Sequence, residues 1–149
     1  MDLTHGASMP KRKTAAQEAE ACAVDLQLLV RLKAANDEGY CQCVTCGVVR
    51  HYKDRMQGGH FIERGRTSVK LVEENIHPQC NNCNHFEMKK ASGVLIYEDY
   101  MVQMYGRDEV EKLKIESRKT NKWIRSEIRE LHKEVKEQIK YHKKRLGEV

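Results

Sequence analysis

Cys43-Val44-Thr45-Cys46 and Cys80-Asn81-Asn82-Cys83, with Gly58-Gly59-His60 between them, decide how this chain is read. Two residues between cysteines let both thiolates of one turn reach a single tetrahedral ion. Two such turns complete a four-cysteine Zn²⁺ site. Cys41 stands two residues before the first pair, but the CxxC spacing selects Cys43 as the ligand. The segment between the knuckles also carries His60, Glu63, Arg64, Arg66, Asn75 and His77, with Asn84 and His85 just beyond. A loop that only staples the fold needs none of these. The spacing therefore predicts a metal-dependent polar site held open by a zinc clip.

The bulk composition agrees with a stapled fold. At 149 residues the chain fits one domain with a helical appendage. Charged residues make up 33% and aromatics 6%, so the apolar core is small and a structural metal is a standard supplement. A net charge of +5 and a pI near 8.9 favour a polyanionic partner. No stretch approaches the roughly 20 apolar residues that span a bilayer, which argues against a membrane protein. Met1–Lys13 is polar and lacks the apolar run of an export signal. Paired CxxC spacing in such a chain reads as zinc rather than three disulfides, and so as a protein of the reducing cytoplasm.

Three regions follow outward from the knuckles. Residues 1–13 read as a disordered basic leader, 14–106 as the zinc-containing domain and 107–149 as one long basic helix. Thr14 and Gln17 have the spacing of a capping box, opening a helix to about Asn36 with Ala15, Ala19, Cys22, Leu26, Leu29 and Val30 on its apolar face. Cys22 is a core residue on this reading. Residues 40–66 predict a knuckle turn followed by paired strands, and Thr67–Gln79 a connecting loop. A helix is expected from about Asn84 to Ala91, a break at Ser92-Gly93, and a further helix over Val94–Tyr105. From Asp108 to about Leu146 there is neither Gly nor Pro, and Ile124, Ile128, Leu131, Val135, Ile139, His142 and Leu146 recur at steps of three and four. That stripe predicts a continuous helix with a narrow apolar seam.

The polar residues form a set with distinct roles. In extended geometry His60 and Arg64 share a face. A neutral imidazole accepts a proton from water near neutral pH, and an arginine holds a phosphate oxygen with paired donors. Asn84 follows the last thiolate directly, where its carbonyl oxygen can ligate a hard cation such as Mg²⁺ or cap a helix. A base, a cation and an arginine together suit phosphodiester hydrolysis.

These motifs carry a resemblance to a known family. Cys43-x-x-Cys46-Gly47, Gly59-His60-Phe61-Ile62-x-Arg64, Asn75-Ile-His77-x-Gln79-Cys80 and Cys83-Asn84 resemble the phage NinG/Rap recombination endonucleases, within the HNH, or ββα-metal, nucleases. The Leu28–Leu32 helix and Tyr105-Gly106 also fit, and the likeness covers roughly residues 26–118. It implies an α+β fold with a zinc-stapled ββα-metal core, an N-terminal helix and a long C-terminal helix. By position it implies His60 as general base, Asn75 as the residue holding His60 and its loop, and Asn84 as a ligand of a catalytic Mg²⁺ or Mn²⁺. The activity implied is cleavage of branched recombination DNA in a phage-infected host cytoplasm. HNH sites usually carry Asp or His immediately before the catalytic His; here that residue is Gly59, as in the NinG/Rap subgroup. Asp54, Glu63, His85 and Glu87 then remain as further candidate cation ligands, and Arg64 with Arg66 as phosphate contacts.

Plainer readings stand beside these. His77 reads as a loop residue, with donation to a thiolate as the alternative, His51 as a surface residue, and His5, His132 and His142 as surface or helix-face residues. The C-terminal helix carries nine Lys and Arg against five Glu over residues 121–149. It reads as a DNA contact, with a homodimer seam or a site for a host or phage recombination protein as alternatives. Two rivals to the nuclease remain: a non-enzymatic zinc-knuckle DNA-binding module and a recombination or replication adaptor protein.

Overall fold

The computed structural model describes residues 9–120 and 123–148. The leader reading of residues 1–8 lies outside them, while residues 9–13 run into the first helix without regular structure. The chain is α+β, with five helices and two small antiparallel sheets among the described residues.

Helix α1 is Ala15–Ala34. The Thr14 side chain accepts from the Gln17 backbone and the Gln17 side chain accepts from Thr14, the reciprocal cap expected. Cys22, Ala23, Leu26, Leu29, Val30 and Leu32 are all buried on it, more than one face's worth. The helix is covered on two sides: one packs on the strands, the other on the last helix.

Strands β1 (Tyr40–Gln42) and β2 (Val49–His51) pair as a hairpin whose tip is the first knuckle. Strand β3 (Met56–His60) pairs antiparallel with β4 (Ile76–Cys80), Gly59 opposite His77 and His60 opposite Ile76. The expected connecting loop over Thr67–Gln79 is therefore corrected, since its last four residues belong to a strand. Helix α2 (Asn81–His85) follows β4 at once, its start capped by the Cys80 thiol. The helix expected from Asn84 begins earlier and ends sooner. A 3-10 turn at Glu87–Lys89 separates it from α3, Ala91–Tyr105. The break thus falls at Phe86–Lys90, and Gly93 is buried within the first turn of α3.

The single long C-terminal helix is also corrected. Helix α4 (Arg107–Ser117) and helix α5 (Arg125–Arg145) are separate. The Ser117 hydroxyl donates to Lys114 O, and the last carbonyls of α4 are closed by Arg118. Ser and Thr hydroxyls compete for backbone partners and weaken a helix without any Gly or Pro. Helix α4 packs on α3 around Phe61, Tyr97, Met101 and Val110. Helix α5 returns across the molecule and buries Ile128, Val135 and Ile139 against α1. The side-chain contacts Glu18–Arg129, Asp25–His132 and Asp37–Arg145 advance together along α5 and along α1 with the turn after it, so α1 and α5 run parallel. The narrow stripe is an internal seam. Among the described residues no helix is long and apolar enough to cross a membrane.

Candidate functional site

The four knuckle thiols converge. Sγ atoms of Cys43, Cys46, Cys80 and Cys83 all lie within 4.8 Å of one another, with Cys46 and Cys80 at 3.8 Å. A tetrahedral Zn²⁺ with Zn–S bonds of about 2.3 Å separates its sulfurs by about 3.8 Å, so this donor set fits a zinc-sized ion. Cys41 is buried in β1 outside the cluster. The first knuckle is tied to the second by Val44 N–H donating to Pro78 O at 3.0 Å. Four close cysteines could thus hold a structural metal such as zinc, and that metal would fasten the β1–β2 tip to the β4–α2 junction.

Beside the clip lies a cleft of ≈ 590 Å³, lined by residues of α1, β3, the loop after it, α2 and α3, among them Gln27, Arg31, His60, Glu63, Arg64 and Asn84. Two glycines bring β3 close enough to form its floor. A Cβ on Gly58 would stand 2.5–2.8 Å from the Cα, Cβ and carbonyl oxygen of Gln27 on α1. A Cβ on Gly59 would collide with the buried Gln79 side chain. The Gly-Gly pair is explained by packing on both sides, and this explains why no metal-binding side chain precedes His60.

His60 ends β3 and is 8% exposed. Its Nε2 donates to Lys70 O at 3.0 Å, which leaves Nδ1 as the ring nitrogen with a lone pair. Burial lowers its pKa below the usual 6.5, and the nearby Arg64 and Lys70 charges add to this. His60 is therefore neutral at neutral pH. Asn75, fully buried, staples the loop that follows: its Oδ1 accepts from Ile62 N at 2.8 Å, and its Nδ2 donates to Ile62 O and Val69 O. That loop is a bend, not a continued strand, so the shared-face geometry expected for His60 and Arg64 is corrected. Arg64 still lines the cleft, by folding back to pair with Glu20 of α1, which also pairs with Lys70.

Asn84 sits on the fourth residue of α2, not at its cap, and its Nδ2 donates to Gln57 Oε1 at 2.6 Å. This commits the amide nitrogen and leaves Oδ1 as the atom able to meet a guest. His85 lines a neighbouring groove with Asn81, Asn82 and Phe86, not the cleft. Arg66 also stays outside it, 3.6 Å from Glu63. Of the further candidate ligands, Glu63 lines the cleft, Asp54 is bonded to Arg55, and Glu87 pairs with Lys90. Among the described residues the only group of three or more His, Cys, Asp or Glu donors is the cysteine cluster.

Several residues escaped the sequence reading. Arg31 lines the cleft while donating to Tyr52 O and Met56 O, bracing the approach to β3. His77 is neither in a loop nor beside a thiolate. It is buried on β4, where Tyr105 donates to its Nε2 at 2.8 Å and its Nδ1 donates to Tyr97, whose hydroxyl donates to Gly59 O. Burial brings its pKa down to about 4. The Tyr97 and Tyr105 spacing on α3 was visible only as part of an amphipathic pattern.

A strand–strand–helix unit joined to four converging cysteines that could hold a metal, with a buried histidine in a cleft also lined by Arg31 and Arg64, defines an α+β protein with a built polar site. The chain belongs to the family described as Bacteriophage Lambda NinG protein, whose profile matches residues 4–145. No curated protein and no solved structure matched the chain.

Proposed function

We infer that the protein is a metal-dependent DNA endonuclease of the ββα-metal type, acting on branched recombination intermediates. The observation that carries this reading is the state of His60: buried, neutral, its Nε2 proton fixed by Lys70 O, at the lip of the cleft that Arg64 and Asn84 also line. Strands β3 and β4 followed by α2 supply the ββα order, and the Gly59–His60 and Cys83–Asn84 motifs supply the family likeness.

In this mechanism His60 Nδ1 takes a proton from the attacking water while Asn75 keeps the loop and the ring in register. Arg31 and Arg64 give the cleft the positive charge that a phosphodiester needs. Asn84 Oδ1 and the Glu63 carboxylate are hard oxygen donors among the residues that line the cleft. Mg²⁺ typically takes one or two protein oxygens together with substrate phosphate and water, so this sparse set suits Mg²⁺ or Mn²⁺ held in part by the DNA. Such a cation, when bound, supplies charge stabilisation for the phosphate as it is attacked. A zinc-knuckle DNA-binding module would need neither a neutral histidine in a cleft nor the hydrogen bonds that fix its tautomer.

The test is cleavage of linear duplex, flap, D-loop and four-way-junction DNA with and without added Mg²⁺ or Mn²⁺, omitting chelator so that zinc is retained. Cation-dependent cutting that favours a branched substrate supports the reading. Absence of cutting on every substrate with zinc-loaded protein overturns it.

A further inference from the structure

Helix α5 segregates its charges in a way the linear sequence hides. At about 100° per residue, Arg129, Lys133, Lys136, Lys140, Lys143 and Lys144 fall within an arc of about 100°. Glu127, Glu130, Glu134 and Glu137 occupy the other flank, in an arc of about 80°, and the buried Ile128, Val135 and Ile139 separate the two on the side facing α1. Lys133, Lys136, Lys140 and Lys144 are exposed. Among the described residues none of these four, nor Lys143, makes an ion pair within 4.0 Å, whereas Arg125, Arg129 and Arg145 are all spent on acids of α1 or its C-terminal turn.

The neighbouring surface of α1 does not neutralise this stripe. Its acids on that side, Glu18 and Asp25, are occupied by Arg129 and His132. Between them and the cleft α1 presents Ala21, the exposed Val24 and Leu28, none of which carries charge. Glu20, nearer the cleft, is held by Arg64 and Lys70. Starting at α5 and crossing α1, the surface therefore runs from free cations through an uncharged strip to the positive lip where Arg31 and Arg64 lie.

We propose that the Lys133–Lys136–Lys140–Lys144 flank of α5 is a backbone-tracking surface for duplex DNA, holding an arm of the substrate whose phosphate is worked on in the cleft. This rests on the nucleic-acid reading above and adds where the duplex lies. The four lysines span about 16 Å along the helix, at a rise of about 1.5 Å per residue. That is the length of about five base-pair steps at roughly 3.4 Å per step, enough for several phosphate contacts. Flexible lysines without fixed partners suit a sequence-independent grip, since backbone contacts position a protein without reading bases.

The test is DNA binding by fluorescence anisotropy at several salt concentrations without added Mg²⁺ or Mn²⁺, so that it is independent of cleavage. Lys136→Gln/Lys140→Gln and Lys136→Glu/Lys140→Glu are compared with an α4-region control, Lys112→Glu on α4 with Lys119→Glu in the turn after it, both paired with neighbouring glutamates, whose charge change equals that of the α5 Glu pair. The side chains changed on α5 are exposed, and thermal melts confirm folding. The α5 Gln pair should flatten the slope of log affinity against log salt by about 2, at roughly 0.9 per lost contact. The α5 Glu pair should weaken binding more than tenfold at low salt, and the α4 pair should leave the slope in place. Equal effects from α4 and α5 would reduce the stripe to bulk charge and overturn the proposal. Unchanged binding by the α5 variants would overturn it too, and would point the stripe at an acidic protein surface. Wild-type protein that binds no DNA at all would instead sink the nucleic-acid reading on which it rests.

Discussion

Replacing His77 by glutamine should flatten the acid limb of the stability curve. Burial holds the folded His77 at a pKa of about 4, against 6.5 when unfolded. As pH falls, the unfolded chain takes up the proton first, so the folded state loses stability from about pH 6.5 downward until it too protonates near pH 4. A gap of roughly 2.5 units, at about 1.36 kcal/mol each, amounts to about 3 kcal/mol. The residue is 7% exposed, so solvent screening takes little from this figure. Glutamine keeps a donor and an acceptor for Tyr97 and Tyr105 but cannot titrate. Urea melts of both zinc-loaded proteins at intervals from pH 7.5 to 4.5 measure the effect. Metal binding through cysteines weakens as pH falls in both proteins alike, so the difference between the two curves is the readout. Wild type should lose about 2–3 kcal/mol more than the variant over that interval. Parallel curves would refute the placement of a neutral His77 between two tyrosine hydroxyls.

Cys80→Ser should lose the bound metal and lower the melting temperature, because the clip joins segments far apart in sequence and metal binding then contributes to folding; metal analysis with a thermal melt checks this. Gly58→Ala and Gly59→Ala should each destabilise by about 1–3 kcal/mol of overpacking, because the first Cβ meets the Gln27 backbone and the second meets the fully buried Gln79 side chain; denaturant melts against wild type check both. Ile128→Ala should cost about 2–5 kcal/mol, since the side chain is 2% exposed in the α1–α5 seam. If the protein cleaves DNA through His60, the single-turnover rate should be flat above neutrality and fall in acid with a midpoint below 6.5, as burial lowers the His60 pKa.

The cysteine pairs, the α1 cap and the core position of Cys22 were legible because each depends on local spacing. Strand β4 was not: Ile-His-Pro-Gln-Cys has no alternation, and Pro78 argues against a strand, yet all five residues are buried between α1, the knuckle and α3. Its polar side chains are held by tertiary partners, Gln79 through its Nε2 donating to Thr45 and His77 by two tyrosines, which no window of sequence displays. The end of α4 was hidden for a similar reason, since charged helix formers continue through it and only Ser117 and Thr120 weaken the run. Periodicity found the α5 stripe but not its partner: a seam against α1 and a seam against a second chain have the same spacing. In the site, His60, Arg64 and Asn84 were readable from motif spacing, whereas Gln57 and Arg31 enter the cleft only once β3 is laid on α1.

The measurement that bears most directly on the central claim is single-turnover cleavage of the best-cut branched substrate by wild type and by His60→Ala, with zinc content and DNA affinity measured on the same preparations. His60 lines the cleft and in the proposed mechanism takes the proton of the attacking water, so its loss should remove cutting by at least 100-fold, on the order of a general base's contribution, while zinc and affinity stay near wild type. Cleavage at the wild-type rate by zinc-loaded His60→Ala would contradict the account.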